Sequence, residues 1–317
     1  MIKMKYAFVF PGQGSQHIGM GADLYQNFQS ARDVFNAVDD ALNQHLFDLM
    51  QNGTEKELTL TVNAQPAIMA VSMATVRVLQ KEFGIDLSRK LSFVAGHSLG
   101  EYAAACTAGV FSLEDTAKLL RLRGLAMQKA VPEGVGGMAA VIGLSQHDIE
   151  GLIEAASTDE AYCVAANDNM DGQVVLSGHL KAIDRVIDLA FDFGAKKAVK
   201  LPVSAPFHSP LMKGAEPVMA KALNEVLSSS PKIKLISNVT AEPAETKEEI
   251  ISNLIRQVTG SVRWRETMAF LDEQNVTDVI EIGPSNVLSN MFKRAYKNIY
   301  STAIHTKEDL EELANNL

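Results

Sequence analysis

Gly96-His97-Ser98-Leu99-Gly100 spells G-x-S-x-G, with an apolar run at residues 91–95 before it and a helical stretch after it. That is the pattern and the context of a nucleophile elbow, a sharp strand-to-helix turn that presents a serine hydroxyl outward. In such a turn the amide of the next residue, Leu99, can stabilise a developing oxyanion, and the helix N-terminus adds a favourable partial charge. The same five residues would also suit a glycine-flanked turn with an ordinary capping serine. The strand and helix flanks favour the catalytic reading.

A serine hydroxyl needs a base at neutral pH, and the chain has seven histidines. His17, His45, His147, His179 and His305 stand in polar or chain-end surroundings, where a solvated ring is expected. His97 sits inside the elbow, and its side chain is expected to point away from the hydroxyl. His208 differs from all of these, because it falls in Pro202-Val203-Ser204-Ala205-Pro206-Phe207-His208-Ser209-Pro210, a proline-bracketed loop after an expected strand. Such a loop holds its backbone rigidly, which suits a group that must be positioned. A structural histidine in a tight turn is the competing account. A third segment, Pro11-Gly12-Gln13-Gly14-Ser15-Gln16, follows the first apolar run. His17 occupies the place of the third glycine of a dinucleotide fingerprint, and the Lys-Ser/Thr ending of a P-loop is missing. It reads instead as a backbone-rich loop in which Gln13 offers a second oxyanion donor.

The elements that must position these residues alternate. Residues 6–10 and 91–95 are buried strands closed by glycines, and residues 65–79 carry apolar side chains at helical spacing between them. Strand, helices, strand, helix is the order of a largely parallel sheet covered by helices, with active residues beyond the carboxyl ends of its strands. From 136 to 202 the texture becomes a compact alternation. Strands are expected at 138–143, 162–166, 173–177 and 196–201, and helices at 145–157 and 180–193. That β-α-β-β-α-β order is that of a ferredoxin-like split unit, with Pro132-Glu133-Gly134 and Pro202 as hinges. Residues 235–239 and 277–282 then return the chain to the larger body. The expectation is a large unit of residues 1–134 and 203–317, a small inserted unit of 135–202, and a cleft between them.

Composition narrows the function. The chain has 317 residues, 47% of them hydrophobic, so a sizeable core is available. With 38 acidic against 29 basic residues the net charge is -9, which argues against broad nucleic-acid binding. Cys106 and Cys163 are too few for a disulfide framework and lack metal-ligand spacing, which fits a reducing, cytoplasmic setting and no metal site. The run after Lys3 and Lys5 is too short for a secretory signal, and no segment is long enough to span a bilayer. Asn238-Val239-Thr240 and Asn275-Val276-Thr277 match the glycosylation pattern by chance on this reading.

With these residues in view, the chain resembles the malonyl-CoA:acyl-carrier-protein transacylases of bacterial fatty acid synthesis and the acyltransferase domains of polyketide synthases. The resemblance spans nearly the whole chain. It rests on Phe8-Val9-Phe10-Pro11-Gly12-Gln13-Gly14-Ser15-Gln16, Gly96-His97-Ser98-Leu99-Gly100-Glu101-Tyr102, Arg123-Gly124, Met127-Gln128, Gly172-Gln173-Val174-Val175 and Pro206-Phe207-His208. Arg256-Gln257, Val262-Arg263-Trp264 and Glu281-Ile282-Gly283-Pro284 extend it. It implies an α/β-hydrolase-like core with a ferredoxin-like insert. It also implies Ser98 as acylated nucleophile, His208 as base, the Gln13 and Leu99 amides as oxyanion hole, and Gln257 near His208. Arg123 is implied as the partner of the malonyl carboxylate, a role that suits a guanidinium fork. Only the resemblance favours it over Arg121, expected to be an ordinary surface arginine. Phe207 resembles the malonyl-selecting form of its loop.

The implied partners are malonyl-CoA and an acyl carrier protein, with no nucleic acid, membrane, metal or redox cofactor. A carrier would be met by local basic residues, either Lys196, Lys197 and Lys200 or Lys293, Arg294 and Lys297. Two rivals remain at this level. A hydrolase on a similar core would use a histidine near the C-terminus, here His305, and a carrier-binding homologue without chemistry would not need Ser98, His208 and Arg123 together.

Overall fold

The computed structural model describes residues 4–203 and 205–317; Lys3, and Ser204 of the proline-bracketed loop, lie outside the described residues. Among the described residues ten strands form two sheets: β1 (Tyr6–Phe10), β2 (Leu91–Gly96), β3 (Gly136–Ile142), β4 (Cys163–Met170), β5 (Gln173–His179), β6 (Lys197–Lys200), β7 (Lys234–Ile236), β8 (Pro243–Ala244), β9 (Asp278–Ile282) and β10 (Tyr300–Ile304). The larger sheet runs β10-β9-β1-β2-β7-β8, parallel except for β8 at the edge. The fold is therefore α/β with a mixed sheet.

The central strand β1 is buried throughout because helices cover both faces of the sheet. Alternate side chains serve opposite cores, as the two-residue period of a strand requires. Phe8 and Phe10 pack into the main core with the Thr61–Lys81 helix, while Ala7 and Val9 face a second cluster around Phe93, Ile236 and Trp264. That helix begins earlier and ends later than residues 65–79, because the flanking residues 61–64 and 80–81 continue its turns.

Parallel pairing of β1 with β2 sets Phe10 opposite Gly96, so both strands release their loops at the same sheet edge. The amide of His97 donates to the Phe10 carbonyl at 2.9 Å, joining the two loops. Chain segments more than eighty residues apart in sequence thus meet where both need to be.

The smaller sheet runs β4-β5-β3-β6, antiparallel throughout, with helices Gln146–Ala156 and Leu180–Leu189 packed on one face around Val141, Leu152, Ile183 and Val186. Met138, Ala166 and Val175 join the main core from the other face. The small sheet is also stitched to the larger body by backbone: Val262 N–H donates to Ala166 O at 2.8 Å and Asp168 N–H to Val262 O at 3.0 Å. Arg265 adds an ion pair to Asp168. These contacts tie it to the larger body in addition to the two chain crossings.

Candidate active site

Beyond β2 the chain turns through Ser98 into the helix Gly100–Thr107. Ser98 has φ 54°, the left-handed region that L-residues avoid. The turn can be this tight because the backbone passes close to both glycines. A Cβ on Gly96 would sit 1.9 Å from the Gly100 carbonyl carbon, and one on Gly100 would sit 2.2 Å from Phe10 O.

His208 reaches Ser98 from the other direction. Its Nε2 lies 2.7 Å from Ser98 Oγ, and its Nδ1 lies 2.9 Å from Gln257 O and 3.2 Å from Gly260 O. Carbonyls only accept, so Nδ1 carries the proton and donates, leaving the Nε2 lone pair to accept from the serine hydroxyl. No carboxylate is needed to fix this tautomer. The loop that delivers the ring is held by Ser209 Oγ, which donates to Pro206 O at 2.7 Å, and His208 too has a positive φ, 55°. Burial first, and then the Arg123 cation, push the His208 pKa down to about 3, while the carbonyls at Nδ1 pull it back upward. The resting ring is neutral at physiological pH.

Arg123 lies on the helix Leu113–Lys129 and is only 1% exposed. Its Nη2 donates to Ser98 Oγ at 3.1 Å and to Gln257 Oε1 at 2.9 Å, and its Nη1 donates to Gln65 Oε1 at 2.9 Å. The guanidinium stands over the Tyr102 ring at 5.7 Å, and burial lowers its pKa. All three hydrogen-bond acceptors are neutral. The nearby Glu101 carboxyl favours the cation through space, but burial raises that carboxyl to about 7, and no carboxylate hydrogen-bonds the guanidinium among the described residues. Arg121 is half-buried and bonded to Gln44 and Asn63, so the expected free surface arginine is instead tied to neighbouring side chains.

The site residues anticipated from sequence converge. Gln13, Ser98, Arg123 and His208 line one cavity of about 240 Å³ together with Gln65, Met127, Met138, Asn167 and Phe207. Gln257 stands behind it, fully buried, its Nε2 donating to Ser98 O at 2.9 Å and to Glu101 Oε2 at 2.6 Å. Leu99 is the N-cap position of the elbow helix, which puts its amide at the positive end of that helix. His97 turns its Nε2 to Asn169 Oδ1 at 2.8 Å and packs edge-on to Trp264, while lining the same cavity as Ser98 and His208.

His305 lines a different depression with His17 and is exposed, so it is not near Ser98. His17, His45 and His147 are exposed as expected. His179 is not: its half-buried ring packs edge-on to Tyr162 and its Nδ1 accepts from Tyr162 N–H at 3.3 Å. Sequence reading missed Gln65, Glu101, Asn169 and Asn238. Gln65 was visible only as a polar residue in an apolar helical run. Asn238, read as a chance glycosylation match, is 1% exposed and touches the elbow. Glu101 is fully buried, and burial pushes its carboxyl up to about 7 against the opposing hydrogen bonds from Gln257 and the Asn238 amide.

An α/β frame that presents a serine hydroxyl to a neutral imidazole, with a buried guanidinium on the same oxygen, has the form of a nucleophilic acyl-transfer site. The chain belongs to the acyl transferase domain family, which it matches over residues 7–314. It is 39% identical over 307 residues to the malonyl CoA-acyl carrier protein transacylase of Bacillus subtilis (strain 168), covering 97% of this chain and 95% of that protein. The crystal structure of an acyl-carrier-protein-S-malonyltransferase from Bartonella henselae superposes with a TM-score of 0.96 at 50% identity, covering 99% of each chain. A malonyl-transacylase structure solved in complex with a type II polyketide-synthase acyl-carrier protein matches with a TM-score of 0.94 at 38% identity, covering 99% of this chain and 100% of that one.

Proposed function

We propose that this protein transfers the malonyl group of malonyl-CoA to the phosphopantetheine thiol of an acyl carrier protein, supplying fatty acid or polyketide synthesis. The observation that carries the reading is Arg123, a buried cation with neutral hydrogen-bond acceptors, bonded to the same hydroxyl that His208 engages. Malonyl differs from acetyl by a carboxylate, and a hydrogen-bonded carboxylate is what this guanidinium lacks, the nearby Glu101 acting on it only through space. The relatives bearing the transacylase name support the same substrate and carrier.

In the first half-reaction Ser98 Oγ attacks the thioester carbonyl as its proton passes to His208 Nε2. The amides of Gln13 and Leu99 receive the oxyanion. The C–S bond breaks, His208 returns the proton to the departing sulfur of coenzyme A, and a malonyl ester remains on Ser98. The carrier thiol then gives its proton to His208 and attacks the ester, the C–O bond to Ser98 breaks, and His208 returns that proton to Ser98 Oγ. Gln257 holds the imidazole through its backbone carbonyl and the arginine through its side-chain oxygen. A carboxylate seated on Arg123 offsets one of the three effects that depress His208, the others being burial and the neighbouring His97, so the correct donor strengthens its own base.

The chemistry requires no metal or redox cofactor, malonyl-CoA being a substrate. We read residues 1–134 and 203–317 as an α/β-hydrolase-like core and residues 135–202 as a ferredoxin-like subdomain, supported by the strand order β4-β5-β3-β6 and its two helices. A cytoplasmic setting is supported by two unpaired cysteines. Among the described residues no helix is long and apolar enough to cross a membrane. Lys196, Lys197, Lys293, Arg294 and Lys297 are exposed and suited to an acidic carrier, whereas Lys200 is engaged by Asp184.

The reading is tested by intact-protein mass after mixing with malonyl-CoA alone. Wild type is expected to gain one malonyl group and Ser98→Ala none. Carrier malonylation by a wild type that never acquires the ester would overturn the scheme.

A further inference from the structure

The elbow has a holder that the chemistry above does not use. We infer that Asn238 is a positioning residue for Ser98, a side-chain strap that keeps the nucleophile in its strained conformation; the inference rests on the reading of Ser98 as the acylated residue.

Asn238 follows β7, whose Leu235 and Ile236 pair with Val94 and Ala95 of β2, so the sheet brings it beside the end of β2. There its carboxamide spans the turn. Nδ2 donates to Gly96 O at 2.6 Å, and Oδ1 accepts from Ser98 N–H at 2.8 Å. The side chain thus extends the β2–β7 ladder past the point where the backbone of β2 bends away. The geometry suits a group that is donor and acceptor in one plane, which a carboxamide supplies without charge.

Its own placement is fixed from the other side. Asn238 N–H donates to Glu101 Oε2 at 3.2 Å, Asn238 O accepts from Arg263 N–H at 3.0 Å, and Asn238 Oδ1 accepts from Gln257 Nε2 at 3.2 Å. Gln257 Nε2 also faces Ser98 O and Glu101 Oε2, so the other end of that amide, Oε1, is left for Arg123. One asparagine therefore joins the nucleophile turn to the residue that orients both base and arginine.

Two consequences follow. Ser98 carries φ 54°, and a backbone in that region persists only when its surroundings over-determine it. Removing the strap frees Gly96 O and Ser98 N–H in a buried turn, so the turn relaxes and the hydroxyl shifts. Ser98 N–H is also already committed to Asn238, which leaves oxyanion stabilisation to the amides of Leu99 and Gln13.

The test is single-turnover acylation by malonyl-CoA, read by quenched intact mass for wild type, Asn238→Ala, Asn238→Asp and the exposed-turn control Asn275→Asp. The amplitude reports the fraction of folded sites, and the rate constant reports the elbow. Asn238→Ala is expected to retain amplitude but react about 10- to 100-fold more slowly, the scale of a small misplacement of a reacting group. Malonyl-CoA affinity, measured in a Ser98→Ala background, is expected to change less than about twofold, because no substrate contact is removed. Asn238→Asp preserves volume and the acceptor for Ser98 but sets an oxygen against Gly96 O, so it too is expected to be about 10-fold slow or worse. It serves as the deciding variant if the alanine form does not fold. A wild-type rate constant in Asn238→Asp, or in the folded fraction of Asn238→Ala, overturns the strap. A wild type that forms no ester would instead overturn the functional reading.

Discussion

The two turns that meet at the site carry the same backbone strain and are held by opposite means. Ser98 and His208 have φ 54° and 55°. Around Ser98 the restraint is steric and continuous with the sheet: Gly96 and Gly100 admit no Cβ, and Asn238 closes the remaining gap. Around His208 the restraint is the imidazole itself, hydrogen-bonded to Gln257 O and Gly260 O on a distant segment, with Ser209 bracing the loop. A nucleophile must be fixed against its oxyanion donors, which are backbone groups, and backbone packing does that. A base must be fixed against one lone pair and then change charge, and hydrogen bonds to carbonyls serve it in both states.

The contrast is broken most severely at the glycines. Gly100→Ala places a methyl within 2.2 Å of Phe10 O, so the elbow cannot form, and loss of both ester formation and the cooperative thermal transition is expected. Pro206→Ala on the histidine side is expected to cost about 1 kcal/mol of stability and to leave ester formation measurable. Equal tolerance of the two changes would show that the elbow is not sterically fixed.

Next in size is the base. His208→Ala is expected to slow acylation by roughly 10²–10⁴-fold. Its pH profile sharpens the comparison: protonation inactivates a base, and His208 is depressed to about 3, so in wild type the acid limb of kcat/KM lies well below the ordinary histidine range. With malonyl-CoA bound, Arg123 is neutralised, so the acid limb of kcat is expected at higher pH than that of kcat/KM. Acetyl-CoA, lacking the carboxylate, is expected to show no such separation. An acid limb near the ordinary histidine value in kcat/KM would refute the buried neutral base.

Arg123→Ala probes the group that touches both turns. The ratio of malonyl to acetyl transfer, read as kcat/KM, is expected to fall by about 30- to several-thousand-fold, the effect of stranding a buried charge worth roughly 2–5 kcal/mol. Because Arg123 also holds Gln257 and Ser98, acetyl transfer is expected to decline as well, so the ratio is the informative quantity. Arg121→Ala is expected to leave that ratio unchanged.

The smallest effect concerns the strain. Ser98→Gly is expected to be more stable than Ser98→Ala by about 1 kcal/mol in denaturant unfolding, since glycine accepts a positive φ. His208→Gly relieves the same strain but forfeits the ring's hydrogen bonds, so no net gain is expected there. A gain at both positions would erase the distinction between the two turns.

The sequence by itself determined the elbow, the proline-bracketed histidine and the strand–helix alternation of residues 136–202, but not β8, β10 or the helices that follow residue 203. Each is written in neighbouring residues: a glycine at a fixed offset from a serine, a run of apolar residues ended by a breaker, a change of period. Gln13 and Leu99 were legible for the same reason, being tied to strand ends. Tertiary structure alone decided what lies across the site. Parallel pairing of β2 with β7 carries Asn238 to the elbow, although its neighbours read only as a strand and a glycosylation pattern. Gln65 and Glu101 each sit on a helix among apolar residues, where nothing local distinguishes a site-facing polar group from an exposed one. The choice of Arg123 over Arg121, which the resemblance favoured, has its physical reason in the tertiary structure too. The two lie two residues apart on one helix, and a rotation of about 200° between them sends one guanidinium into the cavity and the other toward Gln44 and Asn63. Composition is blind to that rotation, which is set by how the helix packs against the Thr61–Lys81 helix and by the depth at which the elbow lies beneath it.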